Sequence, residues 1–163
     1  MRILAIDIGI RNLALCMLDN GRIAHWQTVD LSGSDYKPQD NVKLVMEFRN
    51  EFSYLFDAAD LVIVERQMRV NMRIIEAVLH ALSFKKCKVV GARTIKQHFG
   101  LCRRDYRQNK KAAVDHVQEL LSSCPDDEAH AAQFARTKKR DDLADAYLMA
   151  LFFSQQEGSS TQA

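Results

Sequence analysis

The sequence lacks the features that mark most chains outside the ordinary globular class. Two prolines and six glycines in 163 residues provide no Pro- or Gly-rich linker, and there is no internal repeat, so a single folding unit is expected. No apolar run approaches the roughly 18 residues of a membrane helix, and the N-terminus has no basic-then-apolar leader. A soluble, intracellular protein with no membrane partner is expected, cytoplasmic if its source is viral or bacterial. Cys16, Cys87, Cys102 and Cys124 form no CxxC pair, and the five histidines are equally dispersed. That spacing argues against a zinc site or a disulfide framework.

What is present is an uneven charge. The net value is only +2, yet Arg66 to Lys111 holds thirteen Lys or Arg against two acids, Glu76 and Asp105, while the remainder holds ten bases and nineteen acids. A basic block inside a folded pattern points to a polyanion, because neutralising phosphates releases counterions and drives binding without base reading. A solvated helix face is the plainer explanation of the same run.

Apolar periodicity outlines the fold. Ile3 to Ile6 reads as a buried strand stopping at Asp7, and Leu13 to Leu18 and Ile23 to Val29 flank Asn20-Gly21, the dipeptide of a tight hairpin. A polar loop follows to residue 40. The spacing of Val42, Val45, Phe48, Phe52, Leu55 and Phe56 predicts one amphipathic helix over about 41–57. Leu61 to Val64 is a strand ending on Glu65, Met72 to Leu82 a helix, and Cys87 to Val90 a fifth strand. Basic loop and short-helix material runs to about residue 108, with Gly100 and Arg103 to Asn109 as the best candidate for a mobile segment. Two helices follow, around Ala112 to Leu121 and Leu143 to Phe152. The order implies an α/β domain over 1–153, a five-stranded mixed sheet with three antiparallel strands first and helices around it. Residues 154–163 read as a flexible C-terminal tail.

Acids stand where this pattern ends in polar edges. Asp7 and Glu65 each close a buried strand, and neighbouring strands can bring such ends together. Asp141, Asp142 and Asp145 open the last helix in KKRDDLADAYLMA. At about 100° per residue, Asp145 shares a face with Asp142 and also with Asp141, so spacing leaves that choice open. An Asp at this boundary can simply cap the helix. Acids converging without a cation repel one another. Oxygen ligands without His or Cys suit Mg2+, with Mn2+ able to substitute. Two such ions about 4 Å apart support in-line phosphodiester cleavage, which unites the acids with the basic block.

The ordered set DIGIRN, LVIVERQ and KKRDDLAD resembles the RuvC-like Holliday junction resolvases of the ribonuclease H superfamily, nearest their poxviral and fungal mitochondrial branch. The resemblance covers nearly the whole chain and implies a ribonuclease H-like fold. It implies Asp7, Glu65, Asp142 and Asp145 as the metal-binding and catalytic acids, with Asp141 as cap or helper. GARTIKQHFG and NKKAAVDHV resemble the family's lysine-bearing segment, which puts Lys96 and Lys111 near the scissile phosphate; Lys110 adjoins the latter. The expected DNA contacts are Arg66, Arg69, Arg73, Lys96, Arg103, Arg104, Arg107 and Lys110. The implied activity is Mg2+-dependent cutting of branched DNA, four-way junctions above all, with paired nicks, 5′-phosphate ends and two ions per site. Such an enzyme is expected to be a homodimer, for which the Met72 to Leu82 helix is the candidate interface. A ribonuclease H acting on RNA–DNA hybrids and a junction-binding protein that does not cut are the competing readings. An actin-like ATPase would need two lobes, for which 163 residues are too few.

Overall fold

In a computed structural model describing residues 1–160, the five predicted strands form a single sheet. They are β1 (Arg2–Asp7), β2 (Leu13–Asp19), β3 (Arg22–Val29), β4 (Leu61–Glu65) and β5 (Cys87–Val90), in spatial order β3-β2-β1-β4-β5. The first three pair antiparallel, and β1–β4 and β4–β5 pair parallel. Asn20 and Gly21 both take positive φ, 50° and 82°, the conformation that turns β2 into β3.

Helices cover both faces of the sheet. Leu4 and Ile6 of β1 and Val62 and Val64 of β4 pack with α1 (Asn41–Glu51), α2 (Ser53–Ala58) and α3 (Val70–Leu82). Their alternate neighbours Ile3, Ala5, Leu61 and Ile63 pack with α4 (Ala92–His98), α5 (Tyr106–Ser122), α6 (Glu128–Arg136) and α7 (Arg140–Ser160). α7 is the centrepiece of this second layer, burying Leu143, Ala144, Ala146, Tyr147, Leu148, Met149, Ala150, Phe152 and Phe153. Its first turn is pinned by Trp26, which donates its indole N–H to the Leu143 carbonyl at 3.0 Å and stacks on Phe134 of α6 at 5.1 Å. Among the described residues no helix is long and apolar enough to cross a membrane.

Four expectations are corrected. The helix expected over 41–57 is two helices, because the backbone leaves helical geometry at the buried Phe52 (φ −98°, ψ 21°), where its ring lies 5.2 Å from that of Phe48. The run Arg103 to Asn109, the mobile candidate, is helical from Tyr106 onward: the Asp105 carboxylate caps α5 by accepting from the Gln108 N–H at 2.9 Å. α6 was not predicted, its apolar signal resting on alanines and Phe134. The last helix does not stop at residue 153 but runs through Ser160, with Gln155 within 3.1 Å of the His98 ring. Residues 161–163 of the expected tail lie outside the described residues. In α3, Ile75 and Leu79 are buried in the core, leaving Val70, Ile74 and Leu82 exposed.

The loop after β1 doubles back at Gly9, where a Cβ would come within 2.7 Å of the Asn12 carbonyl oxygen. Gly9→Ala should therefore cost about 1–3 kcal/mol through backbone displacement, measured by urea unfolding. A loss of only a few tenths would mean that the loop yields freely.

Candidate active site

Strand alternation decides where the first two acids point. Side chains alternate faces along a strand, so Asp7 continues the series Ile3, Ala5 and Glu65 the series Leu61, Ile63, both toward α7. The strands are also level: Ile6 pairs with Val64, so the next positions, Asp7 and Glu65, are neighbours. α7 then contributes Asp142 and Asp145 from its first turns. These four acids line one cleft of about 820 Å³.

The electrostatics are those of crowded like charge. Asp7 is 8% exposed, and burial, then the charge and hydrogen bond of Glu65, then Asp145 and Asp142, raise its pKa well above the ordinary value. Burial likewise lifts Asp145 from 3.8 to about 6, with Glu65 adding to it and Lys96 opposing. Asp142 is raised by burial and by Asp141, against Lys110 and Lys139. Two ammonium groups supply counter-charge. Lys96 of α4 lies 3.3 Å from Asp145, both largely enclosed at 11% and 17% exposure. Lys110 of α5 pairs with Asp141, stands 4.0 Å from Asp142 and sits 5.1 Å from the centre of the Tyr106 ring. Among the described residues no three ligating groups are gathered tightly enough to grip an ion as they stand.

Several positions left open or expected differently are now placed. Asp141 is not the cap but lies inside the first turn of α7. There burial would raise its pKa, and the hydrogen bond and charge of Lys110 bring it below the ordinary value. The structure brings Lys110 rather than Lys111 into the cleft: Lys111 pairs with Asp115 on the far side of α5 and its side chain is 76% exposed. Lys110 is in helical register with the buried Ala113, Val117 and Leu121, and that spacing was the available signal. Arg66 and Arg69 line the cleft with Lys96, whereas Arg73, Arg103, Arg104 and Arg107 are exposed away from it. Sequence reasoning missed Arg11, Asn12, Gln67, Arg93, Tyr106 and Lys139, which complete the polar lining. Arg11 and Asn12 stood in the DIGIRN motif itself; Gln67 had no signal beyond its place in ERQ.

A family model described as Poxvirus A22 protein matches residues 1–156. The chain belongs to that family. Among solved structures, this member of the poxviral family is similar to Fowlpox virus resolvase in complex with substrate Holliday junction DNA. That match has 20% identity over 96% of this chain and 99% of the other, with a TM-score of 0.71. It is also similar to a further structure of the Fowlpox virus Holliday junction resolvase, at 20% identity over the same shares with a TM-score of 0.69. RuvC of Thermus thermophilus matches at 17% identity over 96% of this chain and 97% of that one, TM-score 0.58. These likenesses establish a shared RuvC-type, ribonuclease H-like fold. No curated protein sequence matches the chain.

Because Asp145 holds its proton more tightly folded than unfolded, the metal-free protein loses stability as pH rises from about 4 through 6, by about 3 kcal/mol at most. Asp145→Asn should thus be more stable than the wild type at pH 7.5 in a chelating buffer and equal to it near pH 4. Chemical denaturation at the two pH values checks this; a less stable variant at pH 7.5 contradicts it.

Proposed function

We propose that this chain is an endodeoxyribonuclease that resolves four-way DNA junctions, using a divalent metal held by Asp7, Glu65, Asp142 and Asp145. The observation carrying the reading is the convergence of four acids from three elements in a cleft whose other charged lining is basic. The donor set is all oxygen, which suits Mg2+ or Mn2+, and Asp7, Asp142 and Asp145, raised by burial and by neighbouring acids, are carboxylates whose ionised form a nearby cation would favour. When bound, one or two such ions supply the Lewis acidity that makes water nucleophilic and offsets charge on the scissile phosphate, giving 5′-phosphate and 3′-hydroxyl ends.

The chain's own residues do the rest. Arg11, Arg66, Arg69, Arg93 and Lys139 form a cationic rim that draws the DNA backbone to the cleft. Lys110 and Lys96 stand beside the acids as fixed ammonium groups, each able to meet a phosphate oxygen as charge develops on it. Released from Asp141 or Asp145, either lysine exchanges a carboxylate for a phosphate at little electrostatic cost. The preference for junctions over duplex rests on the family and on the Fowlpox virus resolvase solved with a Holliday junction. A junction has near two-fold symmetry, so a homodimer with two equivalent sites suits paired nicks. The exposed Val70, Ile74 and Leu82 of α3 offer it a face. The poxviral family supports the host cytoplasm as its place of work.

Asp7→Asn should abolish nicking of labelled four-way junctions in magnesium while leaving junction binding in calcium within about threefold of the wild type, an isosteric change removing one charge. Retained nicking, or equal cutting of RNA–DNA hybrids by the wild type, would sink the proposal. Separately, Lys110→Ala should slow single-turnover cutting by a factor on the order of 100, with Lys111→Ala near wild type. The reverse ranking would return the catalytic role to Lys111.

A further inference from the structure

Glu65 differs from the other acids in how it is held. Asp7 is short and enclosed, and Asp145 is fixed on a buried helix against Lys96. Glu65 is half-buried at a strand end and has a longer side chain whose terminal torsion is broad. Burial alone does not choose its orientation. Beyond its hydrogen bond with Asp7, a hydrogen-bonded chain holds it from behind: the Gln67 side-chain amide donates to Glu65 Oε2 at 2.8 Å, and Glu76 Oε2 accepts from the Gln67 backbone N–H at 2.6 Å. Glu76 projects from α3, in the opposite helical layer, so the chain ties the end of β4 to that layer. It also explains an oddity of the sequence, since Glu76 is the sole acid between Arg66 and Arg104.

We infer that Gln67, fixed by Glu76, is a positioning residue that sets the Glu65 carboxylate for its cation. The inference rests on the proposed reading of the acids as a metal site. A neutral amide suits this task where its neighbours Arg66 and Arg69 would not. It occupies one lone pair of a carboxylate that has about four, orients the group, and adds no positive charge to compete with the metal. Groups that hold a metal ligand from behind are worth 10- to 100-fold in affinity or activity. Gln67 does not itself contact the reacting atoms in this role.

The test is Mn2+ binding by titration calorimetry to the DNA-free protein, with folding checked by circular dichroism. Gln67→Met, which keeps length and loses the donor, should weaken Mn2+ binding 10- to 100-fold. Its maximal single-turnover rate should recover substantially at high metal, and junction affinity in calcium should stay at the wild-type value. Glu76→Leu should shift Mn2+ binding in the same direction, and Glu76→Gln, which retains an acceptor for the Gln67 N–H, should restore it. If Glu76→Leu fails to fold, the Gln67→Met and Glu76→Gln pair decides alone. Mn2+ binding by Gln67→Met within twofold of the wild type overturns the inference. Asp7→Asn keeps the two claims apart. Lost Mn2+ binding there with intact binding in Gln67→Met leaves the metal site standing and removes only the positioning role. Wild-type binding in Asp7→Asn removes both.

Discussion

Repulsion among carboxylates that the fold forces together is the constraint on which the rest of the site depends. β1 and β4 run parallel and level, so Asp7 and Glu65 must lie side by side on the face that α7 covers. α7 then adds Asp142 and Asp145, one turn apart. Burial is the largest influence on Asp7 and Asp145, and neighbouring acids compound it. No stabilising purpose accounts for such an arrangement, since each acid would be better solvated or better paired elsewhere. Lys96 and Lys110 offset part of the cost, and a divalent cation would offset more.

The scaffold keeps the acids from relaxing apart. Two independent cores clamp the sheet, one against α1–α3 and one against α4–α7, so strand ends cannot slide without disturbing both. Trp26 reaches from β3 to the first turn of α7, the turn that carries Asp142. Gly9 permits the chain leaving β1 to fold back directly beside Asp7, bringing Arg11 and Asn12 to the cleft. The acids thus sit on rigid elements, with most of the basic rim on the loops between them and Arg93 on α4.

The strands and both strand-end acids were legible because a buried strand advertises itself twice, by an apolar run and by the polar residue that stops it. The hairpin was legible from Asn20-Gly21 alone. The break at Phe52 was not, because Phe48, Phe52 and Phe56 keep a helical spacing across it and only tertiary packing of their rings interrupts the backbone. Choosing between adjacent residues failed for the same kind of reason. Lys110 and Lys111 differ by about 100° around a helix, and what turns Lys110 inward is the packing of Ala113, Val117 and Leu121. Asp142 over Asp141 was supplied by family resemblance alone; of the two, Asp142 lines the cleft. Gln67 depended on a contact between segments whose pairing no local pattern announces.

The central claim is that these acids form one site whose stored repulsion a divalent cation relieves. Titrating the metal-free protein with Mn2+ near pH 6, in buffers of different ionisation enthalpy, measures both binding and any protons displaced. With Asp145 raised to about 6 and Asp7 raised as well, saturable binding should release on the order of one proton per protein. Absence of saturable binding, or binding with no proton release, would contradict the claim.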